Sequence, residues 1–412
     1  MSVWVWISLI GLATAPVEVT VTPLRGGSES GTLVEVSDQK VQVTTRDGVR
    51  QFEAASLQSI EAAASAIVPS ITDSEMAVQL LDGSLLAAKT FKVEKGKAVV
   101  ALSAGGSLEV PTSLVAWARF GKQDLSVQKQ WQEIVNRQST ADRLVVRKVT
   151  QEAVPAESTA STIGLDDLQG VLSDVNAETV EFQFDGSALK VPRKKIEGVV
   201  YFHAAGKIPP TACRLFDVAG STWCLRSLRQ QGDSLELVTS CGAPSKLPAN
   251  QWTKIDYSAG NLVFLSDLKP ESVKWEPYVA SPAIAATLSA WFQPRFNTSA
   301  QGGPLMLNGM SYERGLALHS RTTIVYRLTE EYQHFLATVG MDDRYRSNGG
   351  VRFVVLGEKG PLFEKLVHGR DEPLDLDVDL RGVRRLQILV DFGDDHSDAG
   401  DYLNLCNARL TK

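Results

Sequence analysis

Positive charge is not in excess in this sequence: 42 Lys and Arg stand against 48 Asp and Glu, a net charge of −6. A surface that tracks phosphates needs a basic surplus, so nucleic acid is not an expected partner. Cysteine is scarce, with four residues, Cys213, Cys224, Cys241 and Cys406. No two stand at C-x-x-C spacing, which argues against a zinc ribbon or a dithiol redox motif. One local disulfide among the first three stays open in an oxidising compartment. Cys406, with no sequence-near partner, reads as a buried free thiol. Beyond residue 15 no apolar run approaches the ~20 residues of a transmembrane helix. The signatures G-x-S-x-G, H-E-x-x-H and the Gly-rich phosphate loop are missing as well.

What is present is an ordinary globular composition, 43% apolar and 22% charged over 412 residues, enough for two or three average domains. The chain opens with the apolar stretch Val3 to Leu12 and then Ala13-Thr14-Ala15. That is the shape of a secretory signal peptide ending in A-x-A, over 1–15, so a periplasmic, cell-surface or secreted location is the expectation. The competing reading is a buried N-terminal strand, because no Lys or Arg precedes the run and Pro16 follows the cut.

A repeat organises the next 250 or so residues. Its turns carry Asp38 and Gly48 in the first copy, Gly96 and Gly106 in the second, Asn176 and Gly186 in the third, Gly232 and Gly242 in the fourth. The spacing within each pair is ten residues, room for one short strand plus half of each turn. Alternating runs such as Val41-Gln42-Val43-Thr44 and Thr179-Val180-Glu181-Phe182 fill that space, and turn glycines supply φ > 0. Pro111, Pro192 and Pro248 mark where a strand ends and a short helical turn can begin. The pattern predicts small SH3-like or Sm-like barrels at 16–63, 75–121, 142–204 and 210–266. Residues 122–141, with Val127, Trp131, Ile134 and Val135 on one face, predict a helical linker. Pro155–Thr162 reads as an exposed polar loop. The repeats lack interleaved basic and aromatic residues, and Arg193-Lys194-Lys195 reads as a solvated face, so they are expected to be structural or protein-contact modules.

The pattern changes from 272 onward. Gly315 to His319-Ser320 forms G-x-x-x-H-S, and Tyr326 lies in the next strand-like run. Phe335 to Asp343 reads F-x-x-x-V-G-x-D-D, Val351 to Val355 a V-x-F-x-V strand, and Asp401 to Leu410 a D-x-x-N-x-x-x-A-x-L ending. In this order the marks closely resemble the NPCBM family, carbohydrate-binding modules associated with glycoside hydrolases. One departure stands out: Leu405 occupies the place of an aromatic residue, usually Trp. The resemblance implies a galactose-binding-like jelly-roll β-sandwich over 272–412. It also implies a glycan partner, a galactose-type sugar among the candidates.

Within that segment Asp342, Asp343, Arg344, Tyr345 and Arg346 offer charged groups for hydroxyls and a ring to stack on a pyranose. An ordinary polar loop is the alternative. The resemblance points to His319 and Asn404 as further sugar-facing residues; a core histidine is the bland reading of His319. Asp391, Asp394, Asp395, Asp398 and Asp401 crowd one turn, either as a structural calcium site or as a solvated loop. Asp375, Asp377 and Asp379 alternate with apolar residues and read as a solvated strand face. Glycoside hydrolysis needs two carboxylates across a cleft, and no large domain is evident to carry one. The sequence therefore predicts an all-β, exported, non-catalytic carbohydrate-binding protein. The alternative is an envelope scaffold whose jelly roll no longer binds sugar.

Overall fold

The computed structural model describes residues 17–24, 27–63, 69–122, 124–151, 161–204, 206–279, 288–289, 291–329, 332–395 and 397–412. The expected signal peptide at 1–15 lies outside the described residues. So does most of the polar loop, whose last two residues, Ser161 and Thr162, begin a strand. The chain is nearly all β and divides into two compact units, Met1–Gly260 and Asn261–Lys412.

Repeat one of the first unit comprises β1 (Glu18–Pro23), β2 (Glu29–Val36), β3 (Lys40–Thr45), β4 (Gly48–Glu53) and β5 (Leu57–Ala62). Repeat two comprises β6 (Met76–Leu80), β7 (Leu85–Glu94), β8 (Lys97–Leu102), β9 (Ser107–Pro111) and β10 (Val115–Phe120), and is followed by helix α1 (Gln128–Asn136). Repeat three comprises β11 (Asp142–Gln151), β12 (Ser161–Val175), β13 (Thr179–Phe184), β14 (Ser187–Pro192) and β15 (Ile196–Val200). Repeat four comprises β16 (Cys213–Asp217), β17 (Thr222–Gln231), β18 (Ser234–Thr239), β19 (Pro244–Pro248) and β20 (Trp252–Asp256).

The pairing is the same four times. The first strand pairs with the second and the fifth, and strands two to four form a meander, all antiparallel. A bulge recurs in every second strand, between Leu33 and Glu35, Ala88 and Thr90, Leu172 and Val175, and Leu225 and Ser227. Such bulges bend a strand and sharpen its twist, which lets one strand turn from one pairing partner to the next. A 3-10 turn precedes the fifth strand in repeats one to three, directly after Pro111 and Pro192 in the second and third.

The repeats are welded together. β5 pairs with β20, and β10 with β15, so fifth strands join repeat one to four and repeat two to three. Repeats two and four meet where the Ser84 hydroxyl accepts from the Cys224 amide at 2.9 Å and the Ser221 hydroxyl from the Ala87 amide at 3.0 Å. Buried apolar residues of all four form one continuous core. Helix α1 is more than a linker. Trp131 and Ile134 pack with Trp117, Val145 and Val200, and Gly198 has no room for a Cβ because the Trp131 ring lies 2.6 Å from where it would stand.

The disulfide left open among Cys213, Cys224 and Cys241 is not formed; all four thiols are free, and Cys406 is buried. Strand alternation excludes the Cys213–Cys224 pair. Cys213 is opposite Leu225 while Cys224 is opposite Arg214, so the two side chains leave the sheet on opposite faces.

The second unit contains β21 (Leu262–Phe264), β22 (Ser272–Trp275), β23 (Arg295–Phe296), β24 (Leu305–Leu307), β25 (Met310–Tyr312), β26 (Gly315–His319) and β27 (Thr322–Arg327). It continues with β28 (His334–Met341), β29 (Gly350–Gly357), β30 (Gly360–His368), β31 (Leu374–Asp379), β32 (Arg385–Phe392) and β33 (Tyr402–Thr411). One sheet has the order β23-β26-β33-β28-β31, with β21 added to β33; the other is β22-β27-β32-β29-β30. Their inner faces share a core that includes Phe335, Phe353, Ile388 and Leu405, which makes a β-sandwich. β31 alternates as expected, with Asp375, Asp377 and Asp379 outward. The unit begins ahead of the boundary expected at 266–272 because β21 pairs with Arg409 to Thr411.

Candidate functional site

A concavity of about 650 Å³ opens on the second unit, lined by the segment from Leu288 to Gly302 and by Tyr402. The loop supplies Trp291, Phe292, Arg295, Thr298 and Gln301. Trp291 is 74% exposed, far more than a packed indole. The turn below is held by the Ser299 hydroxyl donating to the Gly302 carbonyl at 2.9 Å.

Behind the wall runs a row of rings. Trp275 stacks on Phe292 at 5.0 Å, Phe292 lies 4.1 Å from the His319 ring, and His319 meets Tyr402 edge-on at 4.7 Å. Tyr402 in turn stacks on Tyr345 at 4.2 Å. Strand order produces this row: Tyr402 opens β33 and is the register partner of His319 at the end of β26. The Tyr345 hydroxyl accepts from Gln301 Nε2, tying the loop to the row.

The residues singled out from sequence divide by what they touch. His319 and Tyr345 flank Tyr402. His319 is buried; its Nδ1–H donates to the Ser320 carbonyl, and burial pulls its pKa below the usual imidazole range. It is therefore neutral at pH 7. Asp342 and Asn404 are buried together, the amide donating to the carboxylate at 2.9 Å and to the Met306 carbonyl at 3.2 Å. Asp343 accepts from the Asn308 and Gly309 amides at 2.7 and 2.8 Å and so holds the β24–β25 hairpin turn. Arg346 donates to Gly369, Asn308 and Asp371. Arg344 is exposed, its amide bonded to Asp342.

The acidic turn disperses its carboxylates. Asp391 pairs with Arg352 at 3.0 Å and Arg321 at 3.2 Å, and Asp394 pairs with His368 at 3.1 Å. Asp395 accepts from the Ser397 amide, and Asp401 turns inward to Ser320 and Gly350. Asp398 is half-buried, and His396 lies outside the described residues. Among the described residues no three His, Cys, Asp or Glu side chains gather as metal ligands do.

Sequence reasoning passed over Trp291, Phe292, Gln301 and Tyr402. The signal was there in part: Trp291-Phe292 is an aromatic pair outside any strand-like run, and Tyr402 sits inside the quoted ending.

Residues 263–411 match the sequence profile of the NPCBM/NEW2 domain. A protein of Renibacterium salmoninarum named "Putative endo-alpha-N-acetylgalactosaminidase" is 29% identical over 113 residues, 26% of this chain and 8% of that protein. The chain thus spans a small fraction of the length of that curated relative. Among solved structures, the CBM51 of a Clostridium perfringens GH95 in complex with methyl-galactose is 24% identical. It covers 36% of this chain and 99% of its own, with a TM-score of 0.31. The tandem CBM51 modules of a family 98 glycoside hydrolase from Streptococcus pneumoniae are 11% identical. They cover 82% of this chain and 88% of their own, with a TM-score of 0.30.

Proposed function

We propose that the NPCBM domain of residues 263–411 binds a neutral glycan, of galactose type, without cleaving it, and that the protein acts outside the cytoplasm. The observation that carries this reading is the exposed Trp291 ring at the rim of the concavity, inside the segment that matches the family profile. A flat apolar ring with polar side chains beside it is what the C–H face of a pyranose needs. Arg295, Thr298 and Gln301 stand beside it to serve hydroxyls. Tyr345 and Tyr402 back the loop, and His319 keeps Tyr402 in place. The A-x-A ending of the N-terminal apolar run supports export.

The test is calorimetric titration of the full chain with methyl galactoside and a panel of common neutral sugars. Binding is expected between millimolar and micromolar, about −4 to −8 kcal/mol. Trp291→Ala should weaken it about tenfold or more with no change in melting, since the ring is exposed. Silence across the panel from a folded sample, or a W291A variant with wild-type affinity, would sink the reading.

A further inference from the structure

The first unit carries a concave, positively charged site where repeats two and three meet. The groove has a volume of about 480 Å³, and among the described residues Lys89, Lys92, Arg147, Arg193 and Lys194 line it against a single acid, Glu75. This concentration stands out in a chain whose net charge is −6. The fold builds it from both repeats. The recurring bulge in β7 falls at Lys89, so Lys89 and Thr90 both face solvent, with Lys92 exposed two residues on. From repeat three, the 3-10 turn Arg193–Lys195 brings in Arg193 and Lys194.

Arg193 is fixed in place. Its guanidinium lies 4.0 Å over the Phe120 ring and donates to the carbonyls of Phe91 at 3.0 Å and Asn176 at 2.8 Å. Burial alone pulls its pKa down; no carboxylate contributes. Arg147 is different, because its Nε bonds Glu197 at 2.6 Å. The groove thus holds one half-buried guanidinium stabilised by dipoles and a ring, ringed by flexible lysines. A partly desolvated cation without a counter-charge is costly, and an anion entering the groove relieves that cost.

Two features narrow the class of anion. Phe91 and Phe120 are buried, so no ring is free to stack on a base as single-stranded nucleic acid requires. The volume falls within the range of small-ligand pockets, roughly 300–1,000 Å³, and suits one or two sugar rings. We propose that this groove binds an acidic saccharide, a uronate or a sugar sulfate one or two rings long, with Lys89, Lys92 and Lys194 meeting its carboxylate or sulfate. The saccharide half of this assignment rests on the glycan reading of the second unit. The anionic half stands on the groove's own charge.

The experiment titrates the full chain with a glucuronate-containing disaccharide, a sulfated disaccharide, a neutral disaccharide of the same size, inorganic sulfate and a short single-stranded oligonucleotide. An acidic disaccharide should bind, more weakly as salt rises from about 50 to 200 mM because exposed charges are screened. The Lys89→Glu/Lys92→Glu double variant and Lys194→Glu, all at exposed positions, should fold normally and bind at least tenfold more weakly. Trp291→Ala should leave this binding intact while weakening neutral-sugar binding, which separates failure here from failure of the second unit's reading. The proposal is overturned if neither acidic disaccharide binds, or if the charge-reversed variants keep wild-type affinity. It is also overturned if inorganic sulfate or the oligonucleotide binds as well as the saccharides.

Discussion

Asp401 accepts a hydrogen bond from the Ser320 hydroxyl at 2.6 Å inside the sandwich, and a second from the Gly350 amide at 3.1 Å. The two bonds pin the start of β33 to the end of β26 and to β29. Tyr402, which joins His319 to Tyr345 in the aromatic row, is the next residue.

Burial lifts the Asp401 pKa to about 6; its hydrogen bonds from Ser320 and Gly350 oppose the rise, and Asp395 and Asp398 add to it. The folded state therefore holds this proton more tightly than the unfolded chain, whose carboxyl titrates near 3.8. The resulting stability is complete below the unfolded pKa and is lost as pH rises through about 6. His319, depressed by burial, works the other way: its contribution is present above the unfolded imidazole pKa and is lost as pH falls through its lowered folded value. Asp401→Asn removes the titrating carboxyl while its amide oxygen accepts from the Gly350 amide and its NH2 donates to the Ser320 hydroxyl oxygen. The wild-type melting temperature, measured from pH 4 to 7, should fall relative to that of the variant. Parallel curves would show that Asp401 does not titrate in this window.

Glu197 supports a second prediction. Its fully buried carboxylate accepts from Arg119 Nε and from Arg147 Nε, both at 2.6 Å. Arg119 is itself buried, and its guanidinium lies over the Trp131 ring. The cluster joins β10, β11 and β15 beneath helix α1. Removing the charge while leaving the Arg119 guanidinium inside costs about 3–5 kcal/mol, the usual penalty for breaking a buried pair from one side. Glu197→Gln should lower the denaturant midpoint of the first unit by a corresponding amount and leave the second unit's transition unmoved. An unchanged first midpoint would mean that solvent already reaches the pair.

Much of this architecture could be read from local chemistry, and the unread part has a physical reason. The turn glycines behave as turn residues should: Gly48 and Gly186 have φ of 115° and 75°. Gly31 in β2 and Gly170 in β12 serve a different need. They lie within strands, and a Cβ there would meet the Thr44 and Gln183 carbonyl oxygens at 2.4 and 2.1 Å. Periodicity could find the strands and α1, but fusion of the repeats through β5–β20 and β10–β15 depends on pairs separated by most of a repeat or more. In the basic run Lys194 and Lys195 are exposed as read, while the partners of Arg193, Phe91 and Phe120, are distant in sequence. In the second unit the quoted marks include His319, and Tyr345 stands in the loop just after one of them. The loop bearing Trp291 has no periodicity, so its ring could be placed only in three dimensions.

Leu405 provides the last prediction, at the position where the family pattern favours an aromatic ring. Its side chain is fully buried in the sandwich core, and the register sets it opposite Leu316 on β26 and Val339 on β28. It is absent from the lining of the concavity, which β33 reaches through Tyr402. A leucine here therefore changes how the two sheets pack, while the lining of the concavity is set by other residues. Truncation should act on stability: Leu405→Ala removes buried methyl groups and leaves a cavity, at a cost of about 2–5 kcal/mol. Thermal melting of the full chain should show that loss in the second unit. At a temperature where the variant is still folded, titration with the glycan that the wild type binds should give the same affinity within about twofold. A variant that melts like the wild type but binds at least tenfold more weakly would instead make Leu405 part of the binding surface.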